Sequence, residues 1–150
     1  MRVVLQRVTT ASITIENNVV AKIDNGLLIL LGITTEDTHE DISWLVKKLV
    51  NLRIFNDTQK KMNLSVKDCD GDIIVVSQFT LFASTKKGNR PSYLQSAKSA
   101  VAIPLYQEFL KILQENFSKK IQTGVFGADM KVALVNDGPV TITIDSKNRE

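Results

Sequence analysis

The alternation of apolar and polar residues predicts β-structure in the first third of the chain. Residues 3–9 and 11–16 are rich in β-branched side chains, which favour strands. The pair Asn17-Asn18 is typical of a tight hairpin turn, because asparagine tolerates positive φ. Residues 19–23 are therefore expected to return beside the preceding strand.

An apolar run and a helical stripe follow this predicted hairpin. Residues 27–33 are apolar on both faces, as in a central buried strand. Thr38, with Asp41 three residues later, resembles a capping box, so a helix is expected to begin there. The apolar stripe of this helix recurs at helical spacing and consists of Ile42, Leu45, Val46, Leu49 and Val50.

The rest of the chain alternates between strands and helices. The predicted elements are strands at 52–55 and 73–76, a short helix at 92–99, a helix with Pro104 in its first turn that ends near 117, and strands at 130–135 and 140–144. The core face of the longer helix is expected to comprise Leu105, Phe109, Leu110 and Leu113. This order favours a mixed α+β fold over a doubly wound α/β fold. We predict one compact domain over residues 1–150, with a barrel-like, mixed and antiparallel β-sheet flanked by two main helices.

Composition narrows the class of protein. With 43% hydrophobic residues, 7 Gly and 3 Pro, the chain is neither collagen-like nor of low complexity, and it is too apolar for wholesale disorder. The longest apolar run, residues 27–31, is far shorter than the roughly 20 residues that cross a bilayer. No apolar signal-peptide core follows the amino end, and the single Cys69 fits a reducing compartment. We expect a cytoplasmic protein without a membrane partner.

The charge distribution is informative at one loop. The chain has 19 Lys and Arg against 16 Asp and Glu, a net charge of +3, which permits an anionic partner such as RNA without requiring one. Most basic pairs are interpreted as solvated turns and helix ends. The loop at 86–91, with Lys86, Lys87 and Arg90, is the exception, because it lies just after the most unusual motif of the chain.

Several kinds of catalytic site are excluded by what the sequence lacks. His39 is the only histidine and lies among acids, so a solvated surface role is favoured over catalysis. Zinc sites need several Cys or His ligands, and Asp68 and Asp70 flank Cys69 and raise the pKa of its thiol. The calcium-loop spacing that Asp68 would begin fails at its twelfth position, Phe79, and no phosphate-binding glycine loop is present. We expect neither a metal nor a cofactor.

The remaining candidate is a site of hydroxyl, amide and backbone groups. The buried strand at 73–76 delivers Ser77, Gln78, Phe79 and Thr80 at its carboxyl end, where open sheets commonly expose functional groups. Such side chains orient a polar substrate, and consecutive backbone N–H groups stabilise a developing oxyanion. The alternative is a strand that turns polar only because it emerges into water. The segment at 136–141 contains Gly138-Pro139, for which a turn is the default interpretation.

Taken together, these segments resemble the D-aminoacyl-tRNA deacylases, long called D-tyrosyl-tRNA deacylases. The resemblance covers essentially the whole chain and includes residues 1–8, 52–55, 87–92 and 123–130. Its two signature motifs are Ser77-Gln78-Phe79-Thr80-Leu81 and Asn136-Asp137-Gly138-Pro139-Val140-Thr141. Several motifs in order, at family spacing, are strong evidence where one would be weak. One departure is Lys60, which stands where the family pattern has a glycine.

The resemblance implies a hydrolase that cleaves the ester of D-aminoacyl-tRNA, and also of glycyl-tRNA, as translational proofreading. It implies a homodimer in which Gly138 and Pro139, joined by a cis peptide bond, reach into the partner subunit's pocket and exclude L-aminoacyl groups. Arg7 would hold that dipeptide in place. The residues implied to line the pocket for the aminoacyl group and the terminal adenosine are Ser77, Gln78, Phe79 and Thr80, with Phe126 and Met130 as walls.

We hypothesise that backbone N–H groups of Phe79 and Thr80 stabilise the oxyanion and that the ribose 2′-hydroxyl assists the attacking water. A covalent Thr80 nucleophile is the competing scheme, and it lacks a neighbouring base in the sequence. Lys86, Lys87 and Arg90 are expected to meet tRNA phosphates with little base readout, and no DNA partner is expected. The rival interpretations are a non-catalytic dimeric tRNA-binding module and an interaction protein in which residues 77–80 are only a strand end.

Overall fold

Eight strands and two α-helices make up the fold within residues 1–149, the part of the chain that the computed structural model describes. The strands are β1 (Arg2–Ile15), β2 (Asn18–Ile23), β3 (Gly26–Gly32), β4 (Phe55–Asn56), β5 (Met62–Leu64), β6 (Asp72–Ser77), β7 (Gln122–Thr123) and β8 (Lys131–Asp145). The helices are α1 (His39–Asn51) and α2 (Ser99–Glu115), and a 3₁₀ turn at Phe79–Phe82 follows β6.

One mixed sheet contains six of these strands. β8 pairs antiparallel along one edge of β1, while β3 and β2 pair with the two halves of its other edge. β6 joins β3 in parallel, and β7 joins β6 in parallel. Because β2 also contacts β6 and β7, the sheet curls towards a barrel. The predicted α+β fold, with a barrel-like sheet and two main helices, is confirmed.

Two apolar clusters pack on opposite faces of this sheet. Leu27, Ile29 and Leu31 of β3 pack with both helices, whereas Leu28 belongs to the second cluster, between the curled strands. This double burial explains why β3 is apolar at successive positions. The whole predicted stripe of α1 is buried as well, and the carboxylate of Asp41 accepts the predicted hydrogen bond from the Thr38 N–H at 2.8 Å.

The interior face of α2 differs partly from the prediction. Phe109 and Leu113 are buried as expected, but Leu105 and Leu110 are only half-buried. The other buried positions are Ala102 and Tyr106. The helix also begins at Ser99, so Pro104 lies inside it instead of in its first turn, and the helix gives up one hydrogen bond there.

The predicted short helix at 92–99 is absent from the described structure. Ser84 and Ser92 exchange two backbone hydrogen bonds, of 2.8 and 2.9 Å, and the Ala97 N–H donates to the Ile33 carbonyl at 2.9 Å. These tertiary partners take the N–H groups that a helix would use. The predicted strand at 52–55 is likewise reduced to Phe55–Asn56, paired with β5.

β1 and β8 are each continuous where a break was predicted. Both halves of β8 pair with β1, so the segment at 137–140 is a long bulge and not a turn between neighbouring strands. Val8 pairs with Asn136 and Gln6 pairs with Thr141, which leaves residues 137–140 opposite Arg7 alone. The bulge therefore holds Gly138 and Pro139 away from the regular ladder, beside Arg7.

A buried polar network joins the amino terminus, the start of α1 and the end of β8. The Met1 ammonium donates to Ser146 Oγ at 2.7 Å, and Ser146 Oγ donates to Asp41 at 2.7 Å. The Lys147 ammonium lies 2.8 Å from the other Asp41 oxygen. Burial raises the pKa of Asp41, but hydrogen bonds from Lys147, Ser146 and Thr38 outweigh burial and hold the pKa well below its usual value.

Lys60 stands in a backbone conformation that favours glycine. Its φ is +61°, in the left-handed region where L-residues are uncommon and glycine is favoured. The turn between β4 and β5 thus carries a lysine at a position where the backbone itself would suit a glycine.

Candidate active site

A cavity of about 300 Å³ opens at the carboxyl end of β6. Because β6 lies between β3 and β7, its last residue and those that follow are delivered to a fixed edge of the sheet. The loop between β7 and β8 forms the opposite wall. Five predicted site residues line the cavity together: Ser77, Gln78, Phe79, Phe126 and Met130.

The backbone at the mouth of this cavity has two free donors. The Gln78 N–H donates to the Leu31 carbonyl at 2.8 Å, which ties the end of β6 to β3. The next two N–H groups, of Phe79 and Thr80, open the 3₁₀ turn and therefore have no acceptor within it. Within residues 1–149 no other acceptor binds them. They are available to a negatively charged oxygen of a ligand.

The hydroxyl of Thr80 is held by Gln78 and not by a base. Gln78 Nε2 donates to Thr80 Oγ1 at 2.5 Å, and this is the only side-chain hydrogen bond of Thr80 among the described residues. An amide N–H cannot accept the hydroxyl proton. The local geometry fixes the orientation of Thr80 without activating it as a nucleophile.

The Phe126 wall is supported from the interior by a tyrosine. The rings of Tyr106 and Phe126 are 5.6 Å apart, and the Tyr106 hydroxyl donates to the Val75 carbonyl at 3.3 Å. Burial raises the pKa of Tyr106 to about 12, so the hydroxyl remains a neutral donor at physiological pH. Tyr106 thus connects α2, β6 and the wall of the cavity.

Arg7 holds the bulge of β8. Its guanidinium is buried, and Nε donates to the Asp137 carbonyl at 3.0 Å and lies 3.0 Å from the Asp137 carboxylate. A second nitrogen donates to the Ile54 carbonyl at 2.5 Å. Gly138 has a φ of +132°, and a Cβ there would lie 3.0 Å from the Arg7 guanidinium. The bulge is therefore packed tightly against the arginine.

The bulge and the cavity are separate features of a single chain. Gly138 and Pro139 are exposed, their peptide bond is cis, and neither they nor Arg7 line the cavity. The basic loop with Lys87 and Arg90 is exposed too and lies outside the lining. Of the predicted site residues, the structure thus gathers five in the cavity. Thr80 was expected to line it as well, but it lies in the 3₁₀ turn beside the lining. The remaining residues are Arg7, buried opposite the bulge, and the exposed Lys87, Arg90, Gly138 and Pro139.

His39 and Cys69 both lie outside the lining of the cavity. His39 is exposed, with Glu108 at 2.5 Å and Ser43 at 3.2 Å. Burial, and then the flanking Asp68 and Asp70, raise the pKa of the Cys69 thiol. Within residues 1–149 no three His, Cys, Asp or Glu side chains group as metal ligands, and no helix is long and apolar enough to span a membrane.

Comparison with known proteins identifies the family. A family model described as D-Tyr-tRNA(Tyr) deacylase matches residues 4–145. The D-aminoacyl-tRNA deacylase of Flavobacterium psychrophilum is 64% identical over 150 residues, which are 100% of both chains. The protein of that name from Bacteroides fragilis is 57% identical, again over 100% of both chains. The chain belongs to the D-Tyr-tRNA(Tyr) deacylase family.

Two solved structures share this fold. The c-Myc DNA unwinding element binding protein is 40% identical with a TM-score of 0.92, over 97% of this chain and 98% of that one. A probable eukaryotic D-amino acid tRNA deacylase is 20% identical with a TM-score of 0.79, over 95% and 97% of the two chains, and shares the fold. The resemblance found in the sequence is confirmed.

Two residues of this deacylase fold that support the cavity were missed by sequence reasoning. Tyr106 was assigned to no role, although its spacing from Phe109 and Leu113 places it on the same helical face. Gly124 enters the sequence analysis only as part of the segment 123–130 that carries the family resemblance. A Cβ at Gly124 would lie 2.3 Å from Met130 Sδ, so the glycine makes room for the side chain that lines the cavity.

Gly124→Ala is expected to push the flexible Met130 side chain and narrow the cavity, raising the KM for the aminoacyl substrate by roughly tenfold. Steady-state kinetics on wild type and variant measure this change. The double variant Gly124→Ala/Met130→Ala serves as the control, because a shortened side chain leaves room for the added methyl group. Because Met130 itself lines the cavity, the double variant is compared with Met130→Ala alone. A double variant with a clearly higher KM than Met130→Ala would show that the glycine acts on something other than Met130.

Proposed function

We propose that this protein hydrolyses the ester bond of D-aminoacyl-tRNA and releases tRNA and the D-amino acid. The observation that carries the proposal is the pair of unpaired N–H groups at Phe79 and Thr80, at the mouth of a cavity with Ser77 and Gln78 in its wall. Relatives with 100% coverage are named D-aminoacyl-tRNA deacylases, which supports the same activity here.

The mechanism needs no strong acid or base from the protein. An aminoacyl ester is already activated, so positioning and electrostatic stabilisation supply much of the rate. The Phe79 and Thr80 N–H groups stabilise the oxyanion that forms when water attacks the ester carbonyl. Among residues 1–149 the only side chain bonded to Thr80 is an amide, which cannot take the proton of its hydroxyl. We therefore assign the assistance of the attacking water to the ribose 2′-hydroxyl of the substrate.

The discrimination against L-aminoacyl groups is assigned to Gly138 and Pro139 of the partner subunit. Their carbonyl oxygens would occupy the space that an L-side chain requires, whereas glycine has no side chain to exclude. In one chain Gly138 and Pro139 are exposed, and Arg7 fixes the segment that carries them. Both features are needed if these residues are to reach a partner's cavity in a fixed position.

The homodimer that this filter requires is supported by the outer edge of β8. The strand has 15 residues and pairs only with β1 among the described strands, so its other edge is open. Long open edges are commonly covered by pairing or by another element. Val135, 54% exposed in the middle of this strand, adds an apolar side chain that a second copy would bury.

The experiment that tests the function is a deacylation assay on three charged tRNAs. D-Tyrosyl-tRNA and glycyl-tRNA are expected to lose their amino acids, while L-tyrosyl-tRNA persists. Equal rates on D- and L-tyrosyl-tRNA would contradict the filter. Binding of tRNA with no loss of the ester would instead support the non-catalytic dimeric module, and neither binding nor hydrolysis would support the interaction protein.

Thr80→Ala is expected to retain a turnover within about tenfold of wild type, because losing one neutral hydrogen bond costs of the order of 0.5–1.5 kcal/mol and the N–H groups remain. Single-turnover rates on D-tyrosyl-tRNA check this result. Trapping an acyl-enzyme on Thr80 by rapid quench and mass spectrometry would overturn the water mechanism. Thr80→Ser, which keeps the hydroxyl, is the matched control.

A further inference from the structure

Two exposed aromatic rings stand beside the cavity. Phe79 and Tyr93 are 56% and 39% exposed, and their ring centroids are 5.1 Å apart at an angle of 70°. Phe79 also lines the cavity, whereas Tyr93 does not. Large exposed apolar rings are costly in water, and as a pair next to a cavity they indicate a binding surface.

The backbone fixes Tyr93 in this position. Its carbonyl accepts the N–H of Ser96, a residue of the cavity wall, at 3.0 Å. Directly before Tyr93, Ser92 exchanges two backbone hydrogen bonds with Ser84. This pair is the stem of the loop at 85–91, and Tyr93 follows it directly. The ring therefore has a defined place between the cavity and the loop that this stem carries.

That loop offers cations without partners. Residues 85–91 contain Lys86, Lys87 and Arg90 and no acid. Within residues 1–149 none of the three has an ion pair or side-chain hydrogen bond, and all are exposed. Unpaired cations beside exposed aromatic rings are the combination that single-stranded nucleic acid recognises, through its phosphates and its bases.

We propose that Tyr93, braced by Phe79, stacks with the nucleobase that precedes the terminal adenosine of the tRNA 3′ end. This inference rests on the proposed function and on the placement, implied by the family resemblance, of the aminoacyl group and the terminal adenosine in the cavity. An RNA strand that leaves the cavity for the cations of the loop passes over Tyr93. The base at that point is unpaired, and stacking on an aromatic ring holds it without selecting its identity.

A chemical double-mutant cycle tests the stacking contact. The dissociation constant is measured for uncharged tRNA, intact or with an abasic nucleotide before the terminal adenosine, using wild type and Tyr93→Ala. Tyr93→Ala and the abasic nucleotide are each expected to weaken binding roughly tenfold. Combined, they should weaken binding no more than either does alone, because they remove the same contact. Tyr93→Phe keeps the ring and is expected to bind as wild type does. Leu94→Ala, at the adjacent and 94% exposed residue, controls for a general effect on the segment.

The inference would be overturned if Tyr93→Ala bound tRNA as tightly as wild type. It would also be overturned if the losses of affinity from Tyr93→Ala and from the abasic nucleotide multiplied when the two were combined. A change in the subunit association of Tyr93→Ala, measured by sedimentation, would assign the ring to a contact between copies instead. Binding of uncharged tRNA is measured independently of ester cleavage. A wild type that binds with the expected cycle but cleaves nothing would therefore refute the proposed function alone. Cleavage without the expected cycle would refute only the stacking contact.

Discussion

Arg7→Met is expected to reduce the discrimination between D- and L-tyrosyl-tRNA by about a hundredfold. The guanidinium binds both the carbonyl and the carboxylate of Asp137, directly before the Gly138 that we assign to the filter. Methionine fills much of the same space but donates no hydrogen bonds, so the bulge loses its fixed position. Displacements of about 1 Å in a positioning group cost of the order of 10²-fold. The ratio of kcat/KM values for the two charged tRNAs is the measurement.

Arg2→Met is the matched control for this prediction. Arg2 lies on the same strand and also pairs with a carboxylate of β8, Asp145, at 2.8 Å, but its side chain is 44% exposed. The ratio should stay near the wild-type value in this variant. If Arg7→Met loses stability and yet keeps full discrimination, Arg7 supports the fold and not the filter.

Asp41→Asn is expected to lower the free energy of unfolding by about 2 kcal/mol. Removing one charge of a buried pair typically costs about 3–5 kcal/mol, and the partial exposure of Lys147 reduces the cost here. Urea denaturation of both proteins measures the difference, with the same dependence of the unfolding free energy on urea concentration used for both. Glu40→Gln is the control, because the pair of Glu40 with Arg149 is exposed and should contribute little.

The same carboxylate predicts the direction of the pH dependence. Since the pKa of Asp41 is lower in the folded than in the unfolded protein, the unfolded state binds the proton more readily. The stabilisation is complete above the unfolded pKa of about 4 and is lost as the pH falls below it. Wild type should therefore lose more stability than Asp41→Asn between about pH 5 and pH 2. Parallel pH profiles for the two proteins would contradict this role of Asp41.

The local elements were predictable where the spacing of apolar side chains alone decides which faces are buried. The stripe of α1 and the doubly apolar β3 follow directly from the spacing of their side chains. On α2 the same reasoning chose Leu105 and Leu110 over Tyr106. Hydrophobicity alone could not anticipate that the Val75 carbonyl would accept the tyrosine hydroxyl and make its burial favourable.

Five residues that line the cavity were named from the sequence, whereas their arrangement was not predictable. The strand end at Ser77 followed from the polar residues after an apolar run, whereas Arg7, Gly138 and Phe126 came from family resemblance. The contact of Gly124 with Met130 and the long bulge opposite Arg7 depend on the register between distant strands. Such register is set by tertiary pairing, and the turn interpretation of Gly138-Pro139 failed for that reason.

The two hydrogen bonds between Ser84 and Ser92 close the basic loop at its base and separate it from the rest of the fold. Its ends are fixed relative to each other whatever lies between them, and lengthening a closed loop costs little, since the entropy grows only with the logarithm of its length. Insertions, deletions or charge reversals within residues 85–91 can therefore accumulate without disturbing the cavity. The nucleic-acid contacts that we propose for this loop and the handedness filter that we propose for the bulge are thus free to change independently.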